Sequence, residues 1–277
     1  MAGNLYIVAT PIGNLGDISE RAVEILKQVD LIAAEETRHS KTLLERFGIN
    51  TKACAYHEHN EEQLTSKLIE QLIGGESIAL ISDAGTPLIN DPGYRLVAAA
   101  HDNGIQVVPI PGPSAIITAL SASGLPTNKF IFEGYLPAKS EARKKCIQEL
   151  TSESRTLIFY EAPHRILGLI SDMCEILGAE RRVTIARELT KQFEQIVRDS
   201  VSEINAKLEN GEIKIKGEFV VILEGAQEVS VADTEALRIN QILSEKLSPK
   251  DAAGLTAKIT GKKKNEVYKL TLESAEK

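Results

Sequence analysis

Ser77-Ile78-Ala79-Leu80-Ile81-Ser82-Asp83-Ala84-Gly85-Thr86-Pro87-Leu88-Ile89-Asn90-Asp91-Pro92-Gly93 is the stretch that decides the fold. Residues 77–81 read as a short buried strand, and the next twelve hold two Gly, two Pro, two Asp and an Asn, which cannot continue it. The chain therefore turns at the strand's carboxyl end. That is the edge where open α/β sheets bind ligands, and Gly lets backbone groups come close to them.

The same grammar recurs. Leu5–Ala9 runs into Thr10-Pro11-Ile12-Gly13-Asn14-Leu15-Gly16-Asp17, and Gln106–Ile110 runs into Pro111-Gly112-Pro113-Ser114-Ala115. Further on, Thr156–Tyr160 precedes Glu161-Ala162-Pro163-His164-Arg165, and Arg182–Ala186 precedes Arg187-Glu188-Leu189-Thr190. Loops of this kind after successive strands imply one shared pocket.

Working outward, strands at 4–9, 30–34, 53–57, 77–81 and 106–110 alternate with helices at about 18–29, 40–47, 60–74, 92–103 and 113–122. That order predicts an α/β domain with a mainly parallel sheet over residues 1–120. Asp17 is the expected N-cap of its first helix, whose apolar face is Ile18, Ala22, Ile25, Leu26 and Val29. Near Gly124-Leu125-Pro126 the texture changes. Strands at 130–132, 156–160, 182–186, 195–197 and 219–223, with helices at about 140–151, 163–177 and 200–209, predict a second α/β domain over 121–226 with a mixed or antiparallel sheet. Beyond Gly225 three helical patterns, at about 233–246, 249–259 and 263–273, predict a small helical appendage over 230–277. Ser248-Pro249 suits a helix start and Gly261 a stop. The three also resemble a helix-turn-helix, in which Lys262-Lys263-Lys264 would suit a phosphate backbone; a solvated lysine cluster is the other reading.

Composition narrows the classes. A chain of 277 residues, 43% hydrophobic and 26% charged, has ordinary globular usage. It contains no apolar run of about 18 residues and no basic leader ahead of its first strand, so a cytoplasmic protein is expected. Cys54, Cys146 and Cys174 are widely spaced and read as free thiols. His57-Glu58-His59 is the one close histidine pair, and no metal site is expected. A net charge of −7 excludes coating nucleic acid by bulk electrostatics but allows a local basic patch. The G-x-x-x-x-G-K-[ST] phosphate loop is absent. Gly13 and Gly16 follow the first strand and Glu35 ends the second, yet the loop lacks the middle glycine that a dinucleotide pyrophosphate requires.

Taken together, Ala9–Asp17, Ala34-Glu35-Glu36-Thr37-Arg38, Ser82–Gly93, Pro109–Ala115, Gly134-Tyr135-Leu136-Pro137-Ala138-Lys139, Tyr160–Arg165, Ala186–Thr190 and Lys216-Gly217-Glu218-Phe219 resemble the tetrapyrrole methylase superfamily, in its ribosomal RNA branch. The likeness spans roughly residues 4–224. It implies two α/β domains with S-adenosylmethionine in the cleft between them, a homodimer, and 2′-O-methylation of a cytidine ribose in the decoding region of small-subunit ribosomal RNA, free or in the assembled subunit. Where the wider superfamily reads Gly-Asp-Pro, this chain has Gly85-Thr86-Pro87, which agrees with the RNA branch. The residues so assigned to the donor are Pro11, Gly13, Asp83, Gly85, Thr86, Pro87, Ile89, Ser114, Ala115, Tyr160, Ala162, Pro163 and Glu218. Asp83 and Asp91 also read as turn acceptors.

Methyl transfer is an in-line displacement that depends mainly on positioning and exclusion of water. The sulfonium loses its charge as it reacts, so neutral carbonyls beside it serve better than a strong anion. A ribose hydroxyl needs a proton acceptor, for which Glu161, His164, Glu188 and Asp17 are candidates, while Arg187 or Lys191 could lower the hydroxyl pKa. Lys139, Arg143, Lys144 and Lys145, near Tyr135, with Arg38, His39 and Lys41, form the candidate RNA patch, or else the solvated start of a helix. Two other functions fit the residues: a methylase of a small tetrapyrrole-like substrate, and a non-catalytic RNA-binding assembly factor.

Overall fold

The computed structural model describes residues 2–226 and 231–275. The chain divides into two compact units, Met1–Gly225 and Ala226–Lys277. In the first unit β1 (Asn4–Val8), β2 (Leu31–Ala34), β3 (Ala53–Ala55), β4 (Ile78–Ile81) and β5 (Gln106–Ile110) pair in the order β3-β2-β4-β1-β5, every pair parallel. Helices α1 (Glu20–Gln28), α2 (Thr37–Arg46), α3 (Glu61–Ile73) and α4 (Tyr94–Asp102) make the crossovers, and α5 (Ala115–Ala122) follows the last strand. Every residue of β2 and β4 is buried, as strands covered on both faces require. Alternate residues serve opposite cores: Leu31, Ala33, Ile78 and Leu80 enter one, Ile32, Ala34, Ala79 and Ile81 the other.

The second sheet has β6 (Phe130–Tyr135), β7 (Thr156–Glu161), β8 (Arg182–Arg187), β9 (Gln195–Ser200) and β10 (Phe219–Leu223) in the order β6-β7-β10-β8-β9. The β6/β7 pair is parallel and the other three are antiparallel. Both the parallel first sheet and the mixed second sheet are as the sequence predicts. Helices α6 (Ser140–Glu149), α7 (Pro163–Leu177) and α8 (Val201–Glu209) contribute buried residues to a core with one face of this sheet, built on Leu157, Phe159, Ile170, Ile185 and Val221. The other face sends Ile158, Ala186, Val220 and Ile222 into a cluster with Ile12, Ile116, Ala119 and Leu120. Apolar contact through α5 and the loop after β1 thus joins the two sheets within one unit.

Several boundaries differ from the sequence reading. Ser19, not Asp17, caps α1, its hydroxyl accepting from Ala22 N at 3.2 Å. Asp17 ends a 3-10 turn, Leu15–Asp17, capped by Asn14. Helix α2 begins at Thr37 rather than residue 40. Strand β6 continues past 132 because a bulge between Phe132 and Gly134, with Gly134 at φ +65°, lets pairing resume.

The second unit contains α9 (Val231–Ser244), α10 (Pro249–Thr260) and α11 (Lys264–Ala275). Ser248 caps α10 by accepting from Asp251 N at 3.2 Å, and Gly261 ends it in the left-handed region at φ +73°, as expected. Ala253, Ala257 and Val267 form its small core. Lys262 is ion-paired with Asp233, which removes it from the free lysine cluster. Among the described residues no helix is long and apolar enough to cross a membrane.

Candidate functional site

The carboxyl ends of β1, β4 and β5 lead into one set of loops and those of β6, β7 and β8 into another. Strand β10 runs antiparallel to β7 and β8, so its amino end lies beside their carboxyl ends. These pieces enclose a cavity of about 310 Å³. Its wall takes Ile12 from the first loop, Ala84, Gly85, Thr86 and Ile89 from the second, and Ser114 and Ala115 from the third. The second sheet adds Tyr135, Tyr160, Glu161, Ala162, Pro163, Ala186, Leu189, Glu218, Phe219 and Val220.

Backbone chemistry shapes the first-sheet side. Thr10 and Gly85 exchange backbone hydrogen bonds, N to O 2.9 Å and 3.0 Å, clamping the first loop to the second. The Thr86 hydroxyl donates to Pro113 O at 3.0 Å and ties the second loop to the third. Gly85 has φ +85°, and a Cβ there would stand 3.4 Å from Ile12 Cγ2. Leu88 at φ +74° and Asn90 at φ +68° share the left-handed conformation, which marks a turn held by its surroundings.

On the second-sheet side the ionised groups are mutually engaged. Glu161 is 2% exposed, accepts from Ala162 N at 2.8 Å and is ion-paired with Arg165 at 3.0 Å. Lys191 bridges Glu188 at 2.9 Å and Glu218 at 3.0 Å. Burial pushes the Glu188 carboxyl up, but Lys191, the Glu218 backbone and Arg187 outweigh it and hold the group below the usual range. The Tyr160 hydroxyl is pushed up to about 12 by burial and by the charge of Asp91. Asp91 itself is raised to about 6, mainly by burial and then by Glu35.

Nine of the thirteen residues read from the sequence as donor-binding line the cavity: Gly85, Thr86, Ile89, Ser114, Ala115, Tyr160, Ala162, Pro163 and Glu218. Pro11 and Pro87 are buried in the same loops without lining it. Gly13 packs elsewhere, for a Cβ there would meet Lys191 Cγ at 2.5 Å and Leu189 O at 3.0 Å. Asp83 turns toward α2, accepting from Glu36 N at 3.1 Å and lying 2.9 Å from His39 Nδ1.

Of Glu161, His164, Asp17, Glu188, Arg187 and Lys191, read from the sequence as candidates for the chemistry, only Glu161 lines the cavity. His164 is exposed in the first turn of α7. Glu188 is engaged as above, and Arg187 is buried at 7% exposure with its guanidinium on Lys216 O and Phe193 O. A backbone-anchoring arginine replaces the expected electrostatic one. The sequence pattern places Tyr135 beside the RNA patch rather than in the cavity wall, and misses Ile12, Ala84, Ala186, Leu189, Phe219 and Val220, because apolar wall residues look like core until the chain is folded. It also misses Arg165, whose pairing with Glu161 joins the end of β7 to the first turn of α7.

The basic patch is divided. Arg143 is 5% exposed and its Nη2 is 2.6 Å from Asp172, so it belongs to the packing of α6 on α7 and not to an RNA surface. Lys144 is 2.7 Å from Glu175. Lys139 and Lys145 are exposed. Arg38 lines a separate recess with Glu35, Glu36, Thr37, Ala55, His57 and Asp83. Beside it Glu36, His39 and Asp83 each bring one possible ligand atom within 4.8 Å of the others, all three exposed and already linked by the contacts given above.

Comparison with known proteins adds the family. The pattern of the tetrapyrrole (corrin/porphyrin) methylases matches residues 4–205, and that of the RsmI C-terminal HTH domain matches residues 230–275. This chain therefore belongs to the tetrapyrrole methylase family, as the motifs indicate. It is 53% identical over 273 residues to the ribosomal RNA small subunit methyltransferase I of Escherichia coli O157:H7, covering 98% of this chain and 95% of that one. It is 46% identical over 275 residues to the protein of the same name in Synechocystis, covering 98% of each. A uroporphyrin-III C-methyl transferase from Thermus thermophilus, solved with S-adenyl homocysteine, shares the fold at TM-score 0.56 and 14% identity, over 80% of this chain and 97% of that one.

Proposed function

We propose that this protein transfers a methyl group from S-adenosylmethionine to the ribose 2′-hydroxyl of a cytidine in the decoding region of small-subunit ribosomal RNA. The observation that carries the reading is identity of 46% to 53% over 98% of this chain to relatives named as small-subunit ribosomal RNA methyltransferases, in a chain whose strand-end loops converge on one cavity. In this reading the donor lies between the domains 1–120 and 121–226 of one chain, the protein is a cytoplasmic homodimer, and the helical unit is a further RNA contact.

The cavity suits a nucleoside sulfonium. Ile12, Ile89, Leu189 and Val220 offer apolar walls to a flat heterocycle, and Gly85 keeps backbone close to it. Thr86 and Ser114 offer hydroxyls, while Glu161 is neutralised by Arg165 and does not present a free anion. When bound, S-adenosylmethionine supplies an electrophilic methyl group. The chain's own contribution is orientation and exclusion of water, since the Thr10–Gly85 and Thr86–Pro113 hydrogen bonds fix the loops in advance. Within the candidate patch, Arg38, Lys41, Lys139 and Lys145 are exposed basic side chains that can position phosphates.

The test incubates the protein with methyl-labelled S-adenosylmethionine and small ribosomal subunits from cells lacking this activity, followed by mass spectrometry of the nucleosides. Label in 2′-O-methylcytidine is expected. Donor binding without labelled RNA would move the assignment to a small tetrapyrrole-like acceptor, and absence of donor binding to a non-catalytic assembly factor.

A further inference from the structure

We infer that Phe193 is a stacking platform for an unpaired base of the acceptor strand, a step that rests on the RNA reading above. Phe193 is 66% exposed, the most exposed phenylalanine among the described residues. Single exposed apolar side chains are ordinary on a protein surface. What sets this one apart is the frame that presents it.

Phe193 lies in the loop 188–194, between β8 and the edge strand β9. Glu188 at φ +52° and Thr190 at φ +63° are both left-handed without being glycine, and a β-branched residue there is a true outlier. Such backbone persists only where surrounding contacts over-determine it. Here they do. Thr190 N donates to Glu194 Oε2 at 2.7 Å, Glu188 N to Glu218 O at 3.0 Å, and Lys191 N to Glu188 O at 3.1 Å. Lys191 adds its bridge to Glu188 and Glu218 and lies against Gly13. The carbonyl of Phe193 accepts from the buried Arg187 Nη1 at 3.1 Å.

This loop is also tied to the cavity. Leu189 is part of the wall and of the apolar cluster joining the two sheets. Four residues of chain from Leu189 to Phe193 span at most about 14 Å, so the ring stays within a few nucleotides of an acceptor placed at the cavity. A stiff loop that leaves a ring in solvent beside a reaction pocket suits sequence-tolerant stacking, which works through the π-face every base has. Phe193 is not among the residues that line the cavity, so its ring is free to meet RNA outside it.

The experiment compares wild type, Phe193→Ala, Phe193→Leu and Phe193→Trp in methylation of small subunits, with donor affinity by calorimetry and oligomeric state by sedimentation. Loss of the ring is expected to lower kcat/KM for the subunit by about 5- to 150-fold in both the Ala and Leu variants. Phe193→Trp should stay within about threefold of wild type, and donor affinity should not move. Wild-type rates in Phe193→Leu would show that only apolar bulk matters and overturn the inference. So would a change of oligomeric state in Phe193→Ala, which would make the ring an interface between copies. A wild-type protein inactive on RNA would remove the inference and the reading it rests on together, whereas an active wild type with an equally active Phe193→Ala removes the inference alone.

Discussion

The loop 82–93 and the helix start 139–145 both look functional in the sequence, and the folded chain treats them in opposite ways. The loop supplies Ala84, Gly85, Thr86 and Ile89 to the cavity wall. The basic segment divides: Arg143 is sealed against Asp172, Lys144 is held by Glu175, and Lys139 and Lys145 stay exposed. The difference lies in range. Gly, Pro and Asn announce a backbone conformation that their immediate neighbours enforce. A charge announces only that it needs a partner or water, and Asp172 is 29 residues away from Arg143.

The largest effect is expected from Arg143→Ala. Removing Arg143 leaves the buried Asp172 carboxylate only the Ser140 hydroxyl at 3.0 Å and Lys144 at 3.9 Å, and is expected to cost about 3 kcal/mol of stability. The salt dependence of RNA binding should not change. A slope that falls while the melting temperature holds would return Arg143 to the RNA surface.

Next comes Gly85→Val. A β-branched residue at φ +85°, with its Cβ 3.4 Å from Ile12 Cγ2, should strain the loop by about 1–3 kcal/mol and weaken donor binding at least about fivefold. Calorimetry with S-adenosylmethionine checks it, and unaltered affinity would show that the loop does not shape the donor site.

A smaller effect separates the remaining lysines. Replacing Lys139 and Lys145 by Gln should reduce the slope of log affinity against log salt by about 0.7 for each phosphate no longer neutralised, with thermal stability unchanged. An unaltered slope would leave the whole segment structural.

A pH-dependent effect is expected at Asp91, a titratable group inside the loop 82–93. Its folded value of about 6 exceeds the ordinary 3.8, so the fold favours the protonated form. The associated stability is complete below pH 3.8 and is lost as pH rises through about 6. Asp91→Asn should therefore melt higher than wild type above pH 6 and equally below 3.8, and a difference independent of pH would show that Asp91 acts through packing.

Much of the fold is legible because its signals are local. The βα alternation, the capping at Ser248 and the stop at Gly261 follow from spacing and turn chemistry alone. Ser19 displaces Asp17 as cap of α1 because both residue types accept the same hydrogen bond, and the sequence does not say which the backbone reaches. The extra strand residues past Phe132 are hidden because a bulge breaks the alternation that marks a strand. Within the site, the polar and glycine-bearing wall is readable, whereas Phe219 and Val220 enter it only because β10 runs antiparallel and brings its amino end to the cavity.

By itself the sequence determined the class of fold, the family and the loops that face the cavity, since all three are written in short-range backbone preferences and ordered motifs. Only the tertiary structure decided which charges are free. It committed Arg143 and Arg187 to carboxylate and backbone partners, neutralised Glu161 with Arg165, and left Phe193 in solvent on a stiff frame. The physical reason is that a charge's role depends on desolvation and on partners that folding brings from elsewhere in the chain.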